Sequence, residues 1–350
     1  MSDNVSARRS PRRLWRVLAA AAFGFATLSA PTFPDPEPEP APEPAARCPL
    51  DENLVPACGL LWGIYTTAAN RGQDLYTTVT SIESDIGRTV DLVHRYHDFS
   101  GTGRSGVFPD EHERRLGADG SRVLLLNWTT RIHGEDDRAR WDDVADGAYD
   151  DSVVRPAARR LKEWDQPVFL AFDHEAEGKR HPDQGDGADY ARAWRHIHDV
   201  FEEEGVDNVT WVWITVGWLG HQETIADFYP GDDYVDWIGY DPFNYYVCRD
   251  NEWRSPSETI GPWYNWLMRN GFSDKPVMLA EYGTVADPEN ERAQAQWYRD
   301  LVPALSKYPN IRAVSVFDTH KVCDTRVSVR PGVLDAWGDV GRDPYVSRRR

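Results

Sequence analysis

The chain has 350 residues, 41% of them hydrophobic, which allows one large domain with a sizeable core plus leader and linker segments. Its formal charge of −18 repels nucleic acid and anionic membranes and suits a neutral substrate. Fifteen tryptophans point either to an aromatic-rich core or to a carbohydrate site, since each indole N–H wants a partner and flat aromatic faces are what sugar rings lie against.

Residues 1–30 predict an export signal. Five arginines between Arg8 and Arg16 precede an uncharged apolar run from Val17 to Ala30, shorter than the roughly 20 residues that span a bilayer. Cleavage is expected, with an uncleaved anchor as the alternative and Leu28-Ser29-Ala30 as an imperfect cleavage site. Arg12-Arg13 resembles a twin-arginine signal. Beyond this leader the chain holds 34 basic and 56 acidic side chains, a net of −22.

Residues 31–57 read as a Pro/Glu-rich linker and N-terminal extension. Within it, 31–46 alternates Pro with acidic and small residues and predicts a stiff, extended spacer. The four cysteines all follow the leader, and an even count in an exported chain predicts two disulfides. Cys48–Cys58 would pin the domain entrance and Cys248–Cys323 would join two long loops. No CxxC pair supports zinc or redox chemistry, and neither a metal nor a cofactor is expected. Strand one, LLWGIYT, lacks the H-x-H of a metal-dependent barrel hydrolase.

From residue 58 to 345, short apolar runs alternate with amphipathic stretches. The runs are 60–66, 90–96, 123–128, 167–172, 209–214, 234–240, 276–280 and 311–317. Helical patterns fill the gaps, as in 150–164, 188–205 and 290–307, with Asp150 and Asp287 as N-cap or first-turn acids, Pro156 near a first turn and Gly205 as a C-terminal stop. Continuous apolar runs fit strands buried on both faces. Eight strand–helix repeats match the size of an α/β fold, a (β/α)8 TIM barrel with a single catalytic domain. An open doubly wound sheet is the alternative, since periodicity does not show closure.

In a barrel, chemistry collects at the C-terminal strand ends. The fourth run, PVFLAFDHEAEG, ends in His174-Glu175, and the seventh, PVMLAEYG, ends in Glu281. A charge closing an apolar strand costs desolvation unless something uses it. A strand-four His-Glu and a strand-seven Glu-Tyr-Gly, with acids 106 residues apart, resemble the 4/7 superfamily of retaining glycoside hydrolases. FYPGDDYVDWIGYDPFN (228–244), ADYARAWRHIHDVFEEEGVDNVTWVW (188–213) and IRAVSVFDT (311–319) resemble glycoside hydrolase family 26, the β-mannanase-like enzymes.

That resemblance implies a (β/α)8 barrel and a secreted endo-acting enzyme on a β-linked polysaccharide, mannan or glucomannan first, mixed-linkage β-glucan or β-1,3-xylan as alternatives. It implies Glu175 as acid/base and Glu281 as nucleophile, about 5–5.5 Å apart, with His174 near the −1 sugar or orienting a carboxylate. A non-catalytic carbohydrate-binding protein on a degenerate barrel is the competing class. No nucleic acid partner is expected, no membrane contact beyond an uncleaved leader, and a monomer.

Trp128, Trp213, Trp218 and Tyr240 are candidate sugar platforms, Trp218 foremost because TVGWLGH reads as a loop beyond its strand. His97, Asp241, Arg180 and Tyr282 complete the substrate-binding candidates. His94 and His97, three apart on a strand, fall on opposite faces, which argues against both serving one metal. Three positions depart from the family near the sugar: Arg180 stands where an aromatic platform is expected, Phe243 where a tyrosine bonds the nucleophile, and Val316 where an aromatic precedes Phe317-Asp318. Tyr240, Tyr245 and Tyr282 are the candidates to replace the lost hydroxyl.

Overall fold

The computed structural model describes residues 48–132, 137–178 and 183–347. The leader, the spacer and Arg180 lie outside the described residues. Eight parallel strands form at the eight apolar runs: β1 (Leu61–Thr66), β2 (Leu92–His97), β3 (Val123–Trp128), β4 (Val168–Phe172), β5 (Val209–Thr215), β6 (Trp237–Tyr240), β7 (Val277–Thr284) and β8 (Ile311–Asp318). Each pairs with the next. β8 returns to β1 in register from Leu61↔Ala313 to Thr66↔Asp318. The sheet is therefore a closed (β/α)8 barrel and not an open one.

Alternation along the strands makes two apolar layers. Leu61, Leu92, Leu125, Phe169, Ile214 and Met278 point inward and fill the barrel interior. Their neighbours Trp62, Val93, Leu126, Leu170, Trp213 and Leu279 point outward into the larger layer beneath the helices. Helix 188–205 forms as Gly187–Glu203, opened by a capping box from Asp186 and stopped at Gly205, whose φ of 69° is left-handed. Helix 150–164 begins with a wider turn at Asp150–Val154 before Arg155–Trp164, with Asp150 in that first turn. Helix 290–307 splits into Ala293–Arg299 and Leu301–Leu305. Asp287 does not cap it: the carboxylate accepts from Glu289 N at 2.9 Å in a turn that ends before the helix starts.

Both disulfides pair as expected, Cys48–Cys58 and Cys248–Cys323, with Cα–Cα separations of 5.7 and 5.9 Å. The first closes a loop that plugs the barrel floor. Leu54 in that loop joins the interior layer, and Trp237 Nε1 donates to Asn53 O at 2.6 Å. Residues of the 48–57 segment thus pack against the barrel. No helix among the described residues is long and apolar enough to cross a membrane.

The closing seam is sealed by Asp318, fully buried at the end of β8. One oxygen accepts Thr66 Oγ1 at 2.7 Å, Asn70 Nδ2 at 2.8 Å and Ser328 Oγ at 2.6 Å. The other accepts the backbone N–H of Val327 at 2.7 Å and of Ser328 at 2.9 Å. Asp318→Ala orphans these donors and is expected to cost about 3–5 kcal/mol. Urea unfolding measures it, and a loss below about 1 kcal/mol would show that the seam does not need this carboxylate.

Candidate active site

The C-terminal strand ends surround a cleft of about 950 Å³ bordered by Tyr65, Tyr96, His174, Glu175, Trp218, Asp241, Phe243, Glu281 and Phe317. Neither glutamate reaches it by regular strand geometry. β4 stops at Phe172, and the chain then turns sharply, with φ of 42° at Asp173 and 56° at Glu175. Non-glycine residues hold that conformation only when their surroundings enforce it. Asp173, fully buried, is the enforcer. Its carboxylate accepts Thr130 Oγ1 at 3.0 Å, Trp141 Nε1 at 2.9 Å and Gln184 Nε2 at 2.7 Å. Glu175 N donates to Ile214 O at 2.9 Å, and Glu177 accepts from Val216 N at 2.7 Å, so the turn is strapped to the end of β5.

Glu281 sits at a β-bulge. Leu279 pairs with Val314 and Tyr282 with Val316, three steps along β7 against two along β8. A bulge re-aims side chains: Met278 and Ala280 point inward, Tyr282 points outward, and Glu281 is delivered to the cleft between them. Its backbone N–H donates to Asp241 Oδ1 at 2.9 Å. Its Oε1 accepts the phenol of Tyr96 and lies 3.8 Å from His174 Nε2.

Asp241 is only 6% exposed, and its second oxygen has no hydrogen-bond partner among the described residues. Burial, then the charges of Glu281 and Glu175, push its carboxyl well above the ordinary value of 3.8, which favours the protonated form. Burial and the charge of Glu281 likewise push up the Tyr96 phenol, which stays a donor. Beneath Tyr96, burial lowers His94 to about 3 and holds it neutral. Apolar faces line the rest of the cleft: Tyr65 stacks on Phe317 at 4.6 Å, Tyr96 meets Tyr65 edge-on at 5.2 Å, and Phe243 stacks on Tyr245 at 4.9 Å. Trp218 borders it as well and is 62% exposed.

Glu175, Glu281, His174, Asp241 and Trp218 thus come together. Four other expected residues do not. Trp128, Trp213, Tyr240 and Tyr282 all point outward into the layer beneath the helices, where Trp128 Nε1 donates to Asp98 O, Tyr240 OH to Ile260 O, and Tyr282 OH accepts Trp337 Nε1. Val316 points outward too, so that departure never touches the cleft. His97 borders the cleft but spends both ring nitrogens on protein, Nδ1 on Ser105 O at 3.1 Å and Nε2 on Glu113 Oε1 at 2.9 Å. Tyr96 supplies the hydroxyl sought in Tyr240, Tyr245 or Tyr282. Its signal was phase: with Leu92 inward, a period of two carries His94 and Tyr96 inward and His97 outward. Among the described residues, the group spaced to share a cation is His198, Asp199 and Glu202, two of them exposed and none bordering the cleft.

The family model described as "Glycosyl hydrolase family 26" matches residues 148–315, a span that includes both glutamates. Among curated relatives, the chain is 26% identical over 276 residues to "Endoglucanase H" of Acetivibrio thermocellus, covering 75% of this chain and 28% of that one. It is 26% identical over 310 residues to "Beta-1,3-xylanase TXYA" of a Vibrio species, covering 75% and 65%. The chain thus spans less than two thirds of either relative. Among solved structures, a modular endo-β-1,4-mannanase from Cellulomonas fimi aligns with a TM-score of 0.59 at 16% identity, over 82% of this chain and 71% of that one. A β-mannanase from Bacteroides ovatus aligns with a TM-score of 0.58 at 18% identity, over 83% and 90%. Both share the fold.

Asp241 gives the site a pH signature. Its folded pKa is raised, so the folded state holds the proton more tightly than the unfolded chain, whose carboxyl titrates near 3.8. That contribution is fully present below this pH and is lost as pH rises towards the folded value. Asp241→Asn removes the loss and keeps an oxygen for Glu281 N. The variant is expected to gain on wild type by about 1.4 kcal/mol per pH unit above ~4, until the folded pKa is reached. Urea unfolding at pH 4 and pH 7 checks this, and a difference independent of pH would refute a raised Asp241.

Proposed function

We propose that the chain is a member of glycosyl hydrolase family 26 and a secreted retaining endo-β-glycosidase, with Glu281 as nucleophile and Glu175 as acid/base. The observation that carries this reading is the convergence of the two glutamates on one cleft, Glu281 braced by Tyr96 and Asp241. Cleavage of a glycosidic bond needs a proton on the leaving oxygen and an anion beneath the anomeric carbon.

In the first step a Glu281 oxygen attacks the anomeric carbon while Glu175 gives its proton to the departing glycosidic oxygen, leaving a glycosyl ester on Glu281. In the second, water attacks that carbon, Glu175 takes its proton, and Glu281 leaves as a carboxylate. The Tyr96 phenol stabilises the anion on Oε1 and leaves the other oxygen to attack. Neutral Asp241 adds no competing charge and offers its proton as a hydrogen-bond donor.

The substrate is a β-linked polysaccharide. Loss of the mannanase-type aromatic at Arg180 and of the phenol at Phe243, together with relatives named endoglucanase and β-1,3-xylanase, favours mixed-linkage β-glucan or β-1,3-xylan over mannan. The leader at residues 1–30 and the two disulfides support secretion. One chain supplies every group used above, which suits a monomer.

Glu281→Ala is expected to lower kcat by several orders of magnitude in a reducing-sugar assay of residues 47–350 against mannan, glucomannan, mixed-linkage β-glucan, β-1,3-xylan and cellulose. Near-wild-type release would sink the assignment. Glu175→Ala should lose far less on aryl glycosides with activated leaving groups than on polymer, and equal losses would remove it from the acid role. Tyr96→Phe should cost about 10- to 100-fold in kcat, as for a lost hydrogen bond to a charge. It should also move the acid limb of the pH profile upward, because the carboxylate loses a donor. An unmoved limb would mean that the phenol only packs.

A further inference from the structure

The cleft carries positive charge that double displacement does not use. Arg131 from the loop after β3, Arg249 and Arg254 from the loop after β6, and Lys321 from the loop after β8 all border it. The chain as a whole is strongly acidic, at −18, yet none of these four has a carboxylate within 4.0 Å among the described residues. The acids that border the cleft are Asp98, Glu175, Asp241 and Glu281. Three of them form the reacting group, and Asp98 is occupied by the hydroxyls of Ser100 and Ser105. Around the reacting group, then, the charge facing the cleft is cationic.

Part of that charge is held in place. The Arg249 guanidinium lies 3.9 Å above the Tyr245 ring, which stacks on Phe243 in the cleft lining. The Cys248–Cys323 disulfide ties the loop bearing Arg249 and Arg254 to the loop bearing Lys321. The Arg249 guanidinium is thus braced on a loop that the disulfide joins to the loop of Lys321, and the cations these loops carry favour a counter-charge. Arginine's planar fork matches carboxylate and sulfate oxygens. We infer that the substrate is a β-glycan bearing anionic groups on sugars flanking the cleaved linkage. This rests on the hydrolase reading of the same cleft and narrows it to an acidic polymer.

The test uses mixed-linkage β-glucan, glucomannan and β-1,3-xylan, each neutral, partly carboxymethylated and partly sulfated. Turnover is measured with the wild type, and retention in native affinity gels with Glu281→Ala. At least one charged polymer is expected to be cut and retained about tenfold better than its neutral parent, the advantage shrinking in ~0.5 M salt. The carboxymethyl and sulfate arms identify the anion. The triple variant Arg249→Ala, Arg254→Ala, Lys321→Ala, all exposed positions, should lose most of that preference, roughly tenfold. Neutral parents cut and retained as well as their charged forms, or a preference unmoved in the triple variant, would overturn the inference and leave the hydrolase reading intact. Selective retention of charged polymers with no cleavage of any would uphold it and remove the hydrolase reading instead.

Discussion

Everything at the cleft depends on closure of the sheet. When β8 returns to β1, eight parallel strands must all end on the same rim, and residues 106 apart in the chain are brought to one cleft. The seam is not left to backbone pairing alone. Asp318 lies where the last strand meets the first and ties β8 to Thr66, Asn70, Val327 and Ser328. The carboxylate therefore fastens the rim and the loop beyond β8 together, and with them the wall that carries Lys321. At the other end, the loop closed by Cys48–Cys58 fills the barrel floor with Leu54, so the interior is packed from below and open only above.

Regular geometry would still have left the mouth without its acids. Glu175 comes from a left-handed turn that the buried Asp173 holds, and Glu281 from an extra residue in β7. Both are local departures whose cost is carried by the rigid barrel around them. Among these carboxyl groups, burial and then the charges of Glu281 and Glu175 push Asp241 well above the ordinary carboxylate value. Glu281 is aimed by one phenol and one backbone contact.

Net charge says little about the cleft. Summed over the chain, the field suits neutral partners, yet the loops after β3, β6 and β8 present cations to the cleft. Fields inside a low-dielectric groove are set by the groups that line it, with distant surface acids screened by salt over about 10 Å. On the proposed reading, substrate choice therefore rests with the loops.

The strands, the barrel, the disulfide partners and both glutamates were legible in the sequence. A strand covered on both faces must be apolar throughout, so each announces itself as a continuous run, and a glutamate at its end stands out. The same double burial hides which residues face inward. In Val168-Phe169-Leu170-Ala171-Phe172 every position is apolar, and nothing in the run marks its phase. Trp128, Trp213, Tyr240 and Tyr282 read as platforms for that reason, whereas the packed barrel turns them all outward. β2 kept a faint trace, because Leu92 and the period of two put Tyr96 inside, but nothing in its neighbours shows that its phenol meets a carboxylate from β7. The bulge at Glu281 and the turn at Glu175 left no trace at all. Each exists only because a neighbouring strand or a buried aspartate from another turn makes an otherwise unfavourable backbone the best one available, and that is a property of the assembled barrel.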